Sequence, residues 1–207
     1  MKCWNCQTEA AGNDVCPACG KVQALASGST LFDVVGLPRG VDVDAPALER
    51  AYRERSLRVH PDRVGKDDGR ERRLALERTA LLNEAYRTLK APEARAFYLL
   101  KLHGMDLLKD EARAVPVPPT LLEEALELRE QLEDAQARGD EETVIALSDR
   151  VRTRAATALS AAQSALRRLE RVPTDEAARS EAAAALARLR YHRRFLEAVD
   201  QDAEEEG

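Results

Sequence analysis

Aromatic side chains are scarce in this 207-residue chain: three Phe, four Tyr and one Trp, 4% of the whole. A sizeable core must then rest on Leu, Val and Ala, and a β-rich fold is excluded, because strands draw on aromatic and β-branched residues. No apolar run approaches the roughly 18 residues a membrane helix needs, so no membrane partner is expected. Cysteine is absent beyond position 19, so nothing after the first segment can be held by disulfides. Met1-Lys2-Cys3-Trp4 opens neither a signal peptide nor an Arg-rich transit peptide, and the expected location is the cytoplasm. No charge sign dominates. Thirty-two Lys and Arg against 37 Asp and Glu give a net charge of −5, which argues against a whole-chain nucleic-acid binder. What is present is 44% apolar and 33% charged residues, a globular composition with more charge than usual.

Charge and punctuation divide the chain. Residues 30–103 carry 15 basic and 12 acidic residues, whereas residues 104–207 carry 15 basic and 23 acidic. Ala26-Ser27-Gly28-Ser29 reads as a flexible linker. His103-Gly104 closes a helical stretch, and Pro116, Pro118 and Pro119 hold an extended one. The expected segments are a cysteine module with its linker (1–29), a basic helical module (30–104), a linker (105–119) and an acidic helical module (120–203). The tail Glu204-Glu205-Glu206-Gly207 is expected to fray.

The four Cys form two pairs, Cys3-x-x-Cys6 and Cys16-x-x-Cys19. Each pair can wrap one side of an ion while the loop between brings the pairs together, which is what a tetrahedral site needs. Four thiolates favour zinc or iron over hard cations. In Cys16-Pro17-Ala18-Cys19-Gly20 the Pro presets the turn and Gly20 accepts a positive φ. Gln7 holds the matching place after the first pair, at a cost of about 1 kcal/mol for a non-Gly residue. Paired disulfides would suit an exported chain. A redox C-x-x-C needs a longer βαβ unit. The spacing predicts one structural zinc per chain on Cys3, Cys6, Cys16 and Cys19, with no open position for catalysis. Too small to bury a core, the module depends on the metal to fold. Its purpose is one of three: stabilisation, self-association, or contact with a further partner. Lys2 and Lys21 are too few to contact nucleic-acid phosphates.

Leu31–Leu37 reads as a short helix ended by Gly36 and Pro38. A second helix spans about Ala45–Val59, with Asp44 as N-cap. Leu48, Ala51, Tyr52 and Leu57 point toward a core, while Arg50, Arg53, Arg55 and Arg58 point elsewhere. A third helix runs from about Asp67 to Lys90, with Leu74, Leu81, Leu82, Ala85, Tyr86 and Leu89 at helical spacing. Between them His60-Pro61-Asp62 makes a stiff turn, since Pro61 forbids continuation of the helix at His60. It displays an imidazole and a carboxylate beside an Arg-rich face. Without a pocket or a nucleophile, the pair is unsuited to catalysis.

A basic amphipathic helix, His-Pro-Asp, and a partner helix ending Asn83-Glu84-Ala85-Tyr86-Arg87-Thr88-Leu89 together resemble the J-domain of Hsp70 cochaperones. The resemblance implies that His60, Pro61 and Asp62 trigger ATP hydrolysis in an Hsp70. It also implies that the basic face, with Arg53, Arg58 and Arg63, meets an acidic surface there. The sequence departs from the family in having Arg63-Val64 where Lys-Phe is frequent; Arg63 keeps the charge.

The acidic half reads as three helices, about Thr120–Ala137, Asp140–Glu170 and Thr174–Gln201, with Thr120 and Glu123 as a capping box for the first. Leu121, Ala125, Leu128, Leu132 and Ala135 form a core seam. Leu122, Leu126, Glu130 and Asp134 form a second stripe about 100° round the helix. The later seams are Val144, Leu147, Val151, Ala155, Leu159, Ala162, Leu166 and then Leu186, Leu189, Leu196, an antiparallel bundle. Tyr191 and Phe195 lie outside the seam, which fits either a contact surface or plain packing against the J-domain.

Phe97-Tyr98-Leu99-Leu100-Lys101-Leu102-His103-Gly104-Met105-Asp106-Leu107, Leu126-Glu127-Leu128-Arg129-Glu130 and Leu189-Arg190-Tyr191 resemble the HscB-type cochaperones of iron–sulfur cluster biogenesis, over roughly residues 30–203. The tetracysteine start resembles mitochondrial and some bacterial members. The resemblance implies that Leu122, Leu126, Glu127, Glu130, Asp134 and Tyr191 bind an IscU-type scaffold protein. Glu123 falls where relatives often carry an apolar residue. The expected fold is all-α, a J-domain hairpin followed by a three-helix bundle with the zinc module in front. The expected role is a non-enzymatic adaptor between the scaffold and an Hsp70 of the HscA type. The alternative is a J-protein serving general clients, which would need a broad apolar cleft.

Overall fold

The structure is a computed structural model and describes residues 1–10, 12–63, 69–108 and 119–205. The sites expected at Val64, Asp67, Pro116, Pro118 and the final Glu206-Gly207 lie outside the described residues. The all-α expectation holds: among the described residues there are helices, one 3-10 turn and two isolated β-bridges. The chain groups into two compact units, Met1–Arg95 and Ala96–Gly207. The cysteine module, set apart from the basic helices in the sequence reading, falls in one unit with them.

In the first unit α1 (Leu31–Val35) is started by Thr30, whose hydroxyl accepts from the Asp33 N–H at 3.3 Å. The Asp33 carboxylate accepts from the Thr30 N–H at 2.7 Å in return. Gly36 ends the helix with φ +70°. A side chain there would be strained by the left-handed conformation and would also collide with the Arg55 guanidinium. α2 spans Ala45–Val59 and α3 spans Gly69–Lys90. Phe32, Leu48, Leu82 and Leu89 are buried in this unit, each contributing about 2 kcal/mol. Leu57 was expected in the core but is 61% exposed. The buried stripe of α3 is Glu71, Ala75, Arg78, Leu82, Ala85 and Leu89, so two charged residues stand on its apolar seam.

α2 and α3 are also joined by polar contacts. The Tyr52 and Tyr86 rings stack at 4.3 Å. Tyr52 donates to Asn83 Oδ1 at 2.8 Å, and Tyr86 donates to Glu49. Arg95, on α4 (Pro92–Leu102), is buried and donates to the carbonyls of Val41 at 2.9 Å and of Leu89.

In the second unit α5 (Pro119–Ala137), α6 (Glu141–Arg171) and α7 (Glu176–Glu205) form the bundle. α5 begins at Pro119, so Thr120 lies inside its first turn and is not the cap. Proline suits the first helical position, where no N–H is needed. Asp140 caps α6 by accepting from the Thr143 N–H at 3.1 Å. At α7, which begins at Glu176 rather than near Thr174, the capping acceptor is Asp175, from the Ala178 N–H at 2.9 Å.

The seams fill as spaced except at Leu159, which is only half-buried while its neighbour Ala158 is buried. Leu128, Leu132, Leu147, Val151 and Leu196 make one cluster, with Val144, Phe195 and Val199 packed on it. Phe195 therefore belongs to the bundle's own core. Along α6 and α7, buried Ala155, Ala158, Ala162, Ala178, Ala182 and Ala185 let the two backbones approach closely.

One polar side chain sits within this bundle. His192 of α7 is buried, 7% exposed. Glu124 of α5, Arg154 of α6 and Arg188 of α7 surround it. Burial holds its pKa below the ordinary imidazole value, the two arginines add to that, and Glu124 opposes it. The unfolded chain then takes up a proton at a pH where the folded chain does not. This contribution to stability is complete above about pH 6.5 and is lost as pH falls below it. His192→Leu is expected to flatten the fall in bundle stability on acidification, measured as denaturation midpoint at pH 7.5 and pH 5.5. An unchanged slope would show that His192 does not set it.

Candidate functional site

Three groups of side chains carry chemistry. The first is the cysteine cage. The Cys3–Cys19 sulfurs lie 3.7 Å apart and the Cys6–Cys16 sulfurs 3.6 Å, and all four fall within 4.8 Å of one another. Two similar turns build it. The Gln7 N–H donates to the Cys3 carbonyl at 3.1 Å, and the Gly20 N–H donates to the Cys16 carbonyl at 2.9 Å. Both closing residues are left-handed, Gln7 at φ +64° and Gly20 at φ +70°. Isolated bridges Lys2–Glu9 and Val15–Val22 close the two loops behind the turns. The hydroxyl and then the N–H of Thr8 hold the Cys6 thiol down at about 6. Cys16 moves the other way, pushed up to about 11 by burial and then by the Cys6 and Cys19 thiols beside it. Four convergent sulfurs are placed to hold one ion.

The second group is the turn after α2. His60 is its C-cap, with φ −61° and ψ 130°, the extended conformation expected before proline. Pro61–Arg63 form a single 3-10 turn. The Asp62 N–H donates to His60 Nδ1 at 3.2 Å. The neutral ring thus carries its proton on Nε2, with Asp62 Oδ2 at 3.6 Å from Nδ1. The His60 side chain is 52% exposed and that of Asp62 is 89% exposed. At that exposure the pair is presented outward. Arg53 and Arg58 of α2 are exposed, and Arg53 pairs with Glu49 one turn earlier at 3.0 Å. The Arg63 side chain lies outside the described residues.

The third group lies on α5. Leu121, Leu128 and Leu132 are buried, whereas Leu122, Leu126, Glu127, Glu130 and Asp134 are exposed. Two large apolar side chains thus face solvent at the start of a stripe that turns acidic. Tyr191 does not stand on that stripe. It lines a groove of about 350 Å³ between α5 and α7, with Leu121, Ala125, Leu128 and Phe195.

Sequence reading missed Asp14, Arg55, Glu71 and Arg78 as a set. They form buried or half-buried ion pairs between the cysteine loop and the α2–α3 hairpin. The one visible signal was charge at positions 71 and 78 of an apolar seam.

Comparison with known proteins adds the following. Residues 30–98 match the family model described as DnaJ domain, and residues 117–200 the one described as HSCB C-terminal oligomerisation domain. The chain is 42% identical over 118 residues to a co-chaperone protein HscB homolog of Bordetella avium, covering 57% of this chain and 68% of that one. It is 35% identical over 133 residues to an iron–sulfur cluster co-chaperone protein HscB homolog of Arabidopsis thaliana, covering 64% and 51%. The chain spans between half and two thirds of the length of several curated relatives it matches. The crystal structure of human co-chaperone protein HscB superposes with a TM-score of 0.83 at 26% identity, over 98% of each chain.

The cage makes a direct prediction. Purified chain should carry about one tightly held metal ion, and Cys16→Ser should lose it, because three thiolates leave the tetrahedron open. Elemental analysis of both proteins checks this, and a wild-type chain with four free thiols and no metal would contradict it.

Proposed function

The chain belongs to the HscB co-chaperone family, and on that premise we propose that it delivers an IscU-type iron–sulfur scaffold protein to an Hsp70 of the HscA type and stimulates that Hsp70's ATPase. The observation that carries the reading is the outward-facing His60-Pro61-Asp62 turn at the end of an Arg-rich helix. Such a turn offers an imidazole proton and a carboxylate to a partner and encloses nothing of its own. The chain is then an adaptor, not an enzyme. ATP belongs to the Hsp70, and any cluster belongs to the scaffold.

In this mechanism His60, Pro61 and Asp62 engage the Hsp70, and Arg53, Arg58 and Arg63 steer it by charge. The on-rate should therefore fall as salt rises. Leu122 and Leu126 of α5, with Tyr191 of α7, supply the apolar contact with the scaffold. Glu127, Glu130 and Asp134 form its acidic rim. One covalent chain carrying both sites raises the effective concentration of scaffold at the Hsp70.

For the cysteine cage we propose zinc in a structural role. A tetrahedron of Zn–S bonds near 2.3 Å has sulfurs about 3.8 Å apart, close to what Cys3, Cys6, Cys16 and Cys19 present. When bound, the ion supplies folding energy and no reaction step. Reduced, ligating thiols suit a reducing compartment, and the cytoplasm is the proposed location.

His60→Gln should keep the fold and the scaffold affinity, since the side chain is half in solvent, yet return ATP hydrolysis to the basal Hsp70 rate. Stimulation that persists in this variant would sink the reading. Leu126→Ala combined with Tyr191→Ala should weaken scaffold binding by about 10- to 100-fold in calorimetry, the range expected for losing two apolar anchors. Unchanged affinity would remove the patch from the account. Binding of many unfolded proteins as tightly as the scaffold would favour a general J-protein.

A further inference from the structure

The cysteine loop and the helical hairpin are tied together by three polar links. Asp14, in the turn between the two Cys pairs, is buried, with its side chain 3% exposed. Both its carboxylate oxygens accept from Arg55 Nη1 of α2 at 2.8 Å, and one accepts from Arg78 of α3. Arg78 is itself 6% exposed. Next to the second knuckle, Lys21 donates to Glu71 of α3 at 2.6 Å, and the Val22 N–H donates to the same carboxylate at 3.0 Å. Finally, the Arg70 guanidinium of α3 lies 4.8 Å over the ring of Trp4.

Two guanidinium groups thus share one buried carboxylate. Burial and the neighbouring Arg55 both disfavour the charged form of Arg78, and Asp14 offsets them. Taking Asp14 away leaves the buried Arg78 guanidinium without its counter-ion and facing the like charge of the half-buried Arg55, a costly change for a protein interior. Asp14 is held in place by its loop, and the loop's own core is little more than Cys3, Ala10 and Cys16. So small a core leaves the sulfur cage to set the loop's shape.

We propose that Asp14 is a positioning residue that transmits the state of the cysteine cage to the hairpin bearing His60-Pro61-Asp62. With the cage closed, Asp14 clamps α2 to α3 one and a half turns before the turn. With the cage open, Arg55 and Arg78 lose their counter-ion and the hairpin loosens. The structural part stands on its own; the consequence for ATP hydrolysis rests on the adaptor reading above.

Amide hydrogen exchange on the full chain tests this, comparing metal-loaded protein, chelator-stripped protein, Asp14→Asn and Asp14→Glu. Stripping and Asp14→Asn should each speed exchange in α2 and α3 by about tenfold or more while leaving α6 and α7 unchanged. Asp14→Asn should keep its metal, and Asp14→Glu, which retains the charge, should recover part of the protection. Fluorescence of Trp4, the only tryptophan, should shift on stripping as it loses Arg70. Hsp70 stimulation should fall in step with the loosening.

Hairpin exchange unchanged by stripping, or unchanged in Asp14→Asn, would overturn the proposal. The exchange readout needs no Hsp70. A wild-type chain that stimulates no Hsp70 would therefore defeat the adaptor reading alone, and unchanged exchange would defeat this inference alone.

Discussion

A proline ring that cannot continue a helix sets the geometry of the first unit. Pro61 holds His60 in the extended conformation, so α2 must stop at Val59. One 3-10 turn follows at Pro61–Arg63, and α3 packs back along α2. The cross-links between the two helices depend on that reversal, among them the Tyr52–Tyr86 stack, the Tyr52–Asn83 and Tyr86–Glu49 hydrogen bonds and the Asp14 carboxylate shared by Arg55 and Arg78. The same reversal leaves an imidazole and a carboxylate side by side at the exposed tip. The constraint that makes the fold therefore also makes the exposed tip on which the proposed Hsp70 contact rests.

In the bundle, a buried seam and an exposed stripe are separated by angle around one helix. On α5 the residues stepping from Leu121 through Leu128 to Leu132 are buried. A quarter-turn away, Leu122 and Leu126 stay in solvent at 44% and 63% exposure. Exposed leucines contribute nothing to the core, so the seam can hold the fold while the stripe is left for a partner. Tyr191 belongs to a different place, the groove between α5 and α7. Any contact that uses both must therefore reach across the helix rather than along it.

Much of this was legible in the sequence because it is local. The Gly36 stop, the left-handed Gln7 and most of the α6 seam each follow from a few neighbouring residues. The exceptions have tertiary causes. Leu57 fits a helical apolar pattern yet faces solvent, since periodicity says which residues share a face but not where the partner helix ends. Phe195, off the seam, fitted either a contact surface or packing against the preceding module, and it packs instead on the bundle's own cluster of Leu128, Leu132 and Leu196. Asp14, Glu71 and Arg78 could not be paired in advance, as their partners lie about 40 to 64 residues apart. Charged residues at seam positions 71 and 78 of α3 were the only local sign that something acidic and something basic had to arrive from elsewhere.

The central claim is that one chain couples an Hsp70-facing turn to a scaffold-facing bundle. Single-turnover ATP hydrolysis by an HscA-type Hsp70, with this chain and with or without an IscU-type scaffold, addresses it most directly. The account predicts synergy, a rate with both proteins well above the sum of their separate effects. Equal stimulation with and without the scaffold would contradict it.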